Sequence, residues 1–295
     1  MFELKEEAVP FRLSRGGPNV IAEVQRWQYF LLRIGINQAG QIDGDFGMKT
    51  ETATKFFQVQ SGLTSNGKVN DQTLQKAEEL GYTILPDNYY SDRAGTSFPA
   101  EPNNLESPSN ASRNAAFTCF KFTQRPRAQR PDAEAIVMKG SCDGALPDWT
   151  AAKITEIPMP QLRFARGFNG KVRCHKLAAP MLTKLFEAWE RADLLHLIMS
   201  YEGCFVPRYK RNQAPPGAGG HGEKKSVDVS ALSNHSFGSA FDINFPDNML
   251  GHVPARCGMR GSTRELVRAA NDLGLFWGGH FSTQDGMHFE ISKVS

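Results

Sequence analysis

Two short segments constrain the fold more than any other part of the chain: Ser-Asn-His-Ser-Phe-Gly-Ser-Ala-Phe-Asp at residues 233–242 and Asp-Gly-Met-His-Phe-Glu at residues 285–290. A catalytic metal is usually held by three side chains drawn from His, Asp and Glu, with a fourth position left to water. His235, Asp242 and His288 can supply those three, provided the fold brings two separate segments to one point. His235 and Asp242 are seven residues apart, so an unbroken strand would send them to opposite faces. Gly238 between them permits the turn that returns both to one ion. Asp285 and His288 flank Gly286, which suits a bend entering a strand over residues 287–291. His288 can then ligate while Asp285 faces the water as a base.

The Ser-x-His-x-x-Gly-x-Ala-x-Asp and Asp-x-x-His-Phe-Glu patterns, with Trp277-Gly278-Gly279 before the second, resemble the metallopeptidases that include VanY-type D-alanyl-D-alanine carboxypeptidases and phage L-alanyl-D-glutamate endopeptidases. The resemblance spans residues 194–291. It implies Zn2+ held by His235, Asp242 and His288, Asp285 as catalytic acid/base, and Glu290 and Ser233 supporting the ligands. It also implies an Arg ahead of the first motif that grips a substrate carboxylate or carbonyl, for which Arg208 is the best match. Here the chain reads Ser200-Tyr201-Glu202-Gly203 with Arg208 five residues on, a departure from the commoner Gly-Tyr-Arg form. The implied fold is an α+β catalytic domain with a central antiparallel sheet flanked by helices, Hedgehog/DD-peptidase-like.

The front of the chain reads as a small helical bundle. Val20, Val24, Trp27, Phe30, Leu31 and Ile34 recur at helical spacing after Asn19 as a cap, and Gly35 ends the run. Residues 42–47, Ile-Asp-Gly-Asp-Phe-Gly, form a glycine-dependent loop. Residues 49–60 predict a second helix with Ala53, Phe56 and Phe57 inward, and Asn70 caps a third that carries Leu74, Ala77 and Leu80 to Gly81. Together with Phe57-Gln58, Gly62-Leu63, Gly67 and Thr73, the pattern resembles the three-helix peptidoglycan-binding domain of wall hydrolases. That resemblance implies bacterial peptidoglycan as partner, with Asp43, Phe46 and Gln58 as candidate contacts.

Three regions follow: a peptidoglycan-binding domain at 1–85, a Pro-, Ser-, Asn- and Ala-rich linker at 86–112, and a zinc peptidase domain at 113–295. Within the last, residues 117–122 and 135–138 predict short strands, 125–130 a basic turn, and 213–225 a mobile loop. Pro180 opens an amphipathic helix through Leu182, Leu185, Phe186, Trp189 and Ala192, and Ser262-Thr263-Arg264-Glu265 reads as a capping box. His280 is placed to line the cleft; the remaining histidines read as structural or surface residues.

The net charge is only +3, but residues 111–295 hold 24 basic and 17 acidic side chains, an excess that can steer the chain toward an anionic polymer. No nucleic-acid signature accompanies it, so the wall is favoured over nucleic acid. The five cysteines, Cys119, Cys142, Cys174, Cys204 and Cys257, show no Cys-x-x-Cys pair and suggest neither a disulfide framework nor a thiolate site, as in a reducing cytoplasm. The acidic N-terminus is no signal peptide, and no run suits a membrane span. The expectation is therefore a monomeric endolysin held in the host bacterial cytoplasm until a holin releases it, cutting the stem peptide at the L-alanyl-D-glutamate bond. A D-alanyl-D-alanine carboxypeptidase of wall remodelling and an inactive wall-binding protein are the alternatives.

Overall fold

The computed structural model describes residues 12–84, 98–125, 136–210 and 229–293. Two compact units emerge, one from Met1–Phe98 with Ala255–Ser262, the other from Pro99–Pro254 with Thr263–Ser295. Among the described residues no helix is long and apolar enough to cross a membrane. The expected basic turn and the 213–225 loop fall almost wholly outside the described residues, as do residues 86–97 of the expected linker.

The first unit is organised by α1 (Ile21–Arg33), α2 (Met48–Gln60) and α3 (Asp71–Glu78). Trp27 and Phe30 of α1 meet Phe57 of α2 edge to face, at 5.6 Å for both pairs, and the Trp27 Nε1–H donates to Thr54 at 2.9 Å. Adjacent Phe56 lies about 100° further round the helix and is exposed, correcting its assignment to the core. Asn70 caps α3 as expected, accepting from the Thr73 N–H. Asn19 does not cap α1: its amide instead bonds both main-chain groups of Ser14.

Two buried glutamines hold the loops. Gln28 accepts the N–H groups of Asp43 and Gly44 and donates to the Asp43 carboxylate, the Asp45 carbonyl and Thr50. Gln58 repeats the arrangement one loop later, accepting from Gly67 and donating to Asn66, Lys68 and Thr73. Gly44 has φ +74° where a Cβ would lie 2.5 Å from Ile21, so the loop requires glycine. Phe46 and Gln58, both proposed above as wall contacts, are 3% and 1% exposed. Their side chains are interior packing and a loop clamp, and Oδ1 of the half-buried Asp43 takes part in the Gln28 clamp.

In the second unit α4 (Asn110–Phe117) precedes the hairpin β1 (Phe120–Gln124) and β2 (Ile136–Ser141). Phe117 therefore closes a helix rather than opening a strand. Then come α5 (Trp149–Lys153), the antiparallel pair β3 (Ile154–Pro158) and β4 (Lys171–His175), and α6 (Ala179–Arg191). The last elements are β5 (Tyr201–Gly203), β6 (Ala240–Ile243), α7 (Val267–Asp272), β7 (Leu275–Trp277) and β8 (His288–Ile291). Four of these strands form an antiparallel sheet in the order β5-β6-β8-β7, giving the α+β class. The described part of the expected linker is anchored from Pro99 onward: the Pro99 carbonyl meets His280, Leu105 is buried, and the Glu106 carbonyl accepts from Ser292.

The register of this sheet sorts its side chains. Phe241 opposes Phe289, and Asp242 opposes His288. Alternation along each strand turns the two phenylalanines to one face and Asp242, His288 and Glu290 to the other. The phenylalanine face packs under α6, where Trp189 sits 6.1 Å from Phe241 and 5.7 Å from Phe289. The polar face is thereby left for chemistry. Ahead of α7 the Thr263 hydroxyl donates to the Gly286 carbonyl at 2.8 Å and so ties this segment to the loop before β8.

Cys119 and Cys142 form a disulfide, correcting the reading of the cysteines as lacking such a framework. Pairing of β1 with β2 brings their Cα atoms to 5.4 Å across 23 residues of sequence. Cys174 and Cys204 lie buried, and burial pushes the Cys174 thiol up to about 12 and the Cys204 thiol well above its usual range, so both are poor nucleophiles at neutral pH. Cys142→Ser should lower the stability of this unit by about 3 kcal/mol, the chain-entropy value for a loop of this length. Urea unfolding of wild type with and without reductant should show the same loss, and equal midpoints would contradict the pairing.

Candidate metal centre

The turn that carries His235 is built from local chemistry. The Ser233 hydroxyl accepts from the His235 N–H at the start of a short 3-10 turn, Asn234–Phe237, and Gly238 ends it in the left-handed region at φ 64°. A Cβ at Gly238 would stand 2.6 Å from the main-chain nitrogen of His175, so glycine is required by both conformation and space. Phe237 anchors the turn in an aromatic cluster, 4.8 Å from Phe120, which is itself 4.6 Å from Trp149. The chain then reverses into β6 and delivers Asp242.

The second segment is fixed from behind. The Gly286 carbonyl accepts from both Trp277 Nε1–H, at 2.9 Å, and the Thr263 hydroxyl. Asp285 donates its N–H to Gly278 and accepts from the His288 N–H. His288 follows at the start of β8.

Three ligand atoms converge. Asp242 Oδ1 lies 3.1 Å from His235 Nε2 and 2.9 Å from His288 Nδ1, and the two ring nitrogens are 3.2 Å apart. All three residues are buried. The far side of each ring decides its proton. His235 Nδ1 faces the Cys204 carbonyl at 3.1 Å, and His288 Nε2 faces Glu290 Oε2 at 3.2 Å. Both outer nitrogens must therefore donate, so both inner nitrogens present lone pairs beside a carboxylate oxygen. Such a cluster needs a positive charge at its centre.

Without a metal that charge is a proton. Burial disfavours a charged His288, but Asp242 and Glu290 on either side outweigh it and push the ring up to about 10. Burial also holds His235 down, against the pull of Asp242. Asp242 stays well below the usual carboxylate range despite its burial, because both imidazoles stabilise its charge. A divalent cation can take the proton's place. Bonds of 2.0–2.1 Å in a tetrahedral site set ligand atoms about 3.3 Å apart, within about 0.4 Å of the separations found here. The donor set and its geometry fit a metal.

Arg208 sits on the outer oxygen of Asp242, its Nη2–H donating to Oδ2 at 2.8 Å, with a side chain 31% exposed. Glu290 receives the ligand ring and the Asn234 amide together. The half-buried Asp285 is not one of the three clustered donors, although its main chain is bonded to that of His288. His280 Nε2 meets the Pro99 carbonyl at 2.9 Å. Sequence reasoning missed Asn234 and the Cys204 carbonyl. Asn234 sat inside the motif and could have been flagged as a side chain beside a ligand, whereas a main-chain carbonyl leaves no trace in sequence.

Residues 228–291 match a family model described as D-alanyl-D-alanine carboxypeptidase, and residues 21–76 match one described as putative peptidoglycan binding domain. No curated protein and no solved structure gives a significant match. The first match encloses His235, Asp242, His288, Asp285, Glu290 and Ser233, but stops short of Arg208. Together the two matches support a metallopeptidase-type hydrolase acting on the wall.

Two predictions follow from the geometry. Gly238→Ala should destabilise the unit by at least about 1 kcal/mol from its backbone conformation alone and weaken metal binding; a variant with wild-type melting and affinity would contradict the turn's role. Metal binding should release about one proton per chain at pH 7, because the metal-free His288 is protonated up to about pH 10. Calorimetry in buffers of different ionisation enthalpy reads this number, and affinity should fall as pH is lowered. The sign for the metal-free fold is opposite: a raised histidine pKa stabilises fully below the unfolded value and loses that stability as pH climbs toward 10.

Proposed function

We propose that the chain is a modular zinc-dependent peptidoglycan hydrolase, an endolysin that cuts the stem peptide at the L-alanyl-D-glutamate bond. The observation that carries the reading is the meeting of two imidazole lone pairs and a carboxylate oxygen within 3.2 Å, inside the segment similar to a wall carboxypeptidase. Two nitrogens and one oxygen suit zinc with a position left open. When bound, zinc supplies Lewis-acid polarisation of the scissile carbonyl and eases deprotonation of water.

The chain's own residues do the rest. Asp285, presented beside His288 by the doubly held Gly286, takes the proton of the attacking water and returns it to the leaving amine. Arg208 offers more donors than Asp242 occupies, and its partly exposed guanidinium grips the substrate carbonyl or carboxylate. The front unit keeps the catalytic unit near its polymer, raising effective substrate concentration. In this reading the protein waits in the host cytoplasm and reaches the wall after a holin opens the membrane.

A second reading, removal of the terminal D-alanine, is favoured by the description of the matching family itself. Mass spectrometry of digested peptidoglycan separates the two: the endopeptidase frees whole stem peptides from their L-alanine, while the carboxypeptidase removes only a terminal alanine. Asp285→Ala should keep one metal per chain and lower turnover by about 10²-fold or more. Wild-type turnover in that variant would remove Asp285 from the mechanism, and unchanged wild-type activity after chelation would remove the metal.

A further inference from the structure

Arg113 is a buried cation far from the metal ligands in sequence, and its contacts lead to one of them. It lies on α4 and is 1% exposed. Its Nη1 donates to the Leu232 carbonyl at 2.8 Å and to Asn234 Oδ1 at 2.9 Å, and its Nη2 donates to the Val229 carbonyl at 2.9 Å. The guanidinium also stacks 4.3 Å over the Phe237 ring. All these contacts fall on the segment that enters and forms the His235 turn.

The bond to Asn234 sets a direction. An amide has one accepting end and one donating end, while arginine only donates. Arg113 therefore fixes Oδ1 toward itself and Nδ2 toward Glu290, where Asn234 donates to Oε2. That same oxygen faces His288 Nε2 at 3.2 Å. With Glu290 held as the acceptor, His288 must carry its proton on Nε2 and turn its Nδ1 lone pair to the cluster. We infer that Arg113 is a positioning residue of the metal centre: through Asn234 and Glu290 it sets the tautomer and orientation of His288, and through Val229 and Leu232 it holds the turn bearing His235. The inference rests on the metal-centre reading above. Arg113 lies outside the segment that matches the carboxypeptidase family, so the catalytic unit uses a helix ahead of that segment to complete its site.

The test is metal affinity rather than activity. Zinc and cobalt(II) dissociation constants would be measured by chelator competition for wild type, Arg113→Met, Asn234→Leu, Glu290→Gln and the Arg113→Met/Glu290→Gln double variant. The cobalt(II) visible spectrum would report the ligand field. Loss of an outer partner of a metal-binding histidine typically weakens binding 10–100-fold, so Arg113→Met should weaken it about tenfold. Arg113→Lys, which keeps the charge without the planar fork, should restore only part of that loss. The part of the loss that runs through Glu290 should not repeat in the double variant, whereas the part that runs through the His235 turn should, so Arg113→Met should cost clearly less on the Glu290→Gln background than it does alone. Multiplied losses in the double variant, or wild-type affinity and spectrum in Arg113→Met, would overturn the inference. Should Arg113→Met fail to fold by circular dichroism, Asn234→Leu carries the same test, since it leaves the carbonyl contacts of Arg113 in place. A wild type that binds neither ion would sink the metal-centre reading, and this inference with it.

Discussion

The register that sets Asp242 opposite His288 is the constraint on which the rest of the second unit depends. Slipping either strand by one residue would exchange its faces and bury the ligands under α6. The large aromatic side chains make such a slip costly, because Phe241 and Phe289 stack 5.5 Å apart beneath Trp189 and Phe186. Hydrophobic packing on one face thus specifies the geometry on the other. A cluster of lone pairs, repulsive by itself, is held together by a core that forms without it.

The two units solve the same physical problem differently. In the front unit, buried glutamines satisfy the polar main chain of tight loops with neutral amides. In the rear unit, buried charges are accepted and linked in series, from Arg113 through Asn234 and Glu290 to His288 and Asp242. Neutral clamps suit a small scaffold that displays a surface. A charged series fixes tautomers, which a metal site requires and a scaffold does not.

Much of this was legible because the chemistry is local. Gly238 was read as permitting the turn between His235 and Asp242, and it adopts the left-handed conformation there. Trp27 and Phe57 announced the bundle core, and residues 287–291 announced the last strand. Other features depended on partners far away in the chain. Cys119 and Cys142 meet only after a hairpin registers. Phe46 and Gln58 were read as surface contacts because pattern residues of a small bundle look alike whether they pack or bind, and only the fold shows them buried. Arg113 has no local signature, since its acceptors begin more than a hundred positions later.

The central claim is that a single cation belongs among two imidazoles and one aspartate. Anomalous diffraction from zinc-loaded crystals at the metal absorption edge tests it most directly. The account predicts one peak within about 2.0–2.2 Å of His235 Nε2, His288 Nδ1 and an Asp242 carboxylate oxygen. A peak elsewhere, or one that engages His288 through Nε2 with Glu290 displaced, would contradict it.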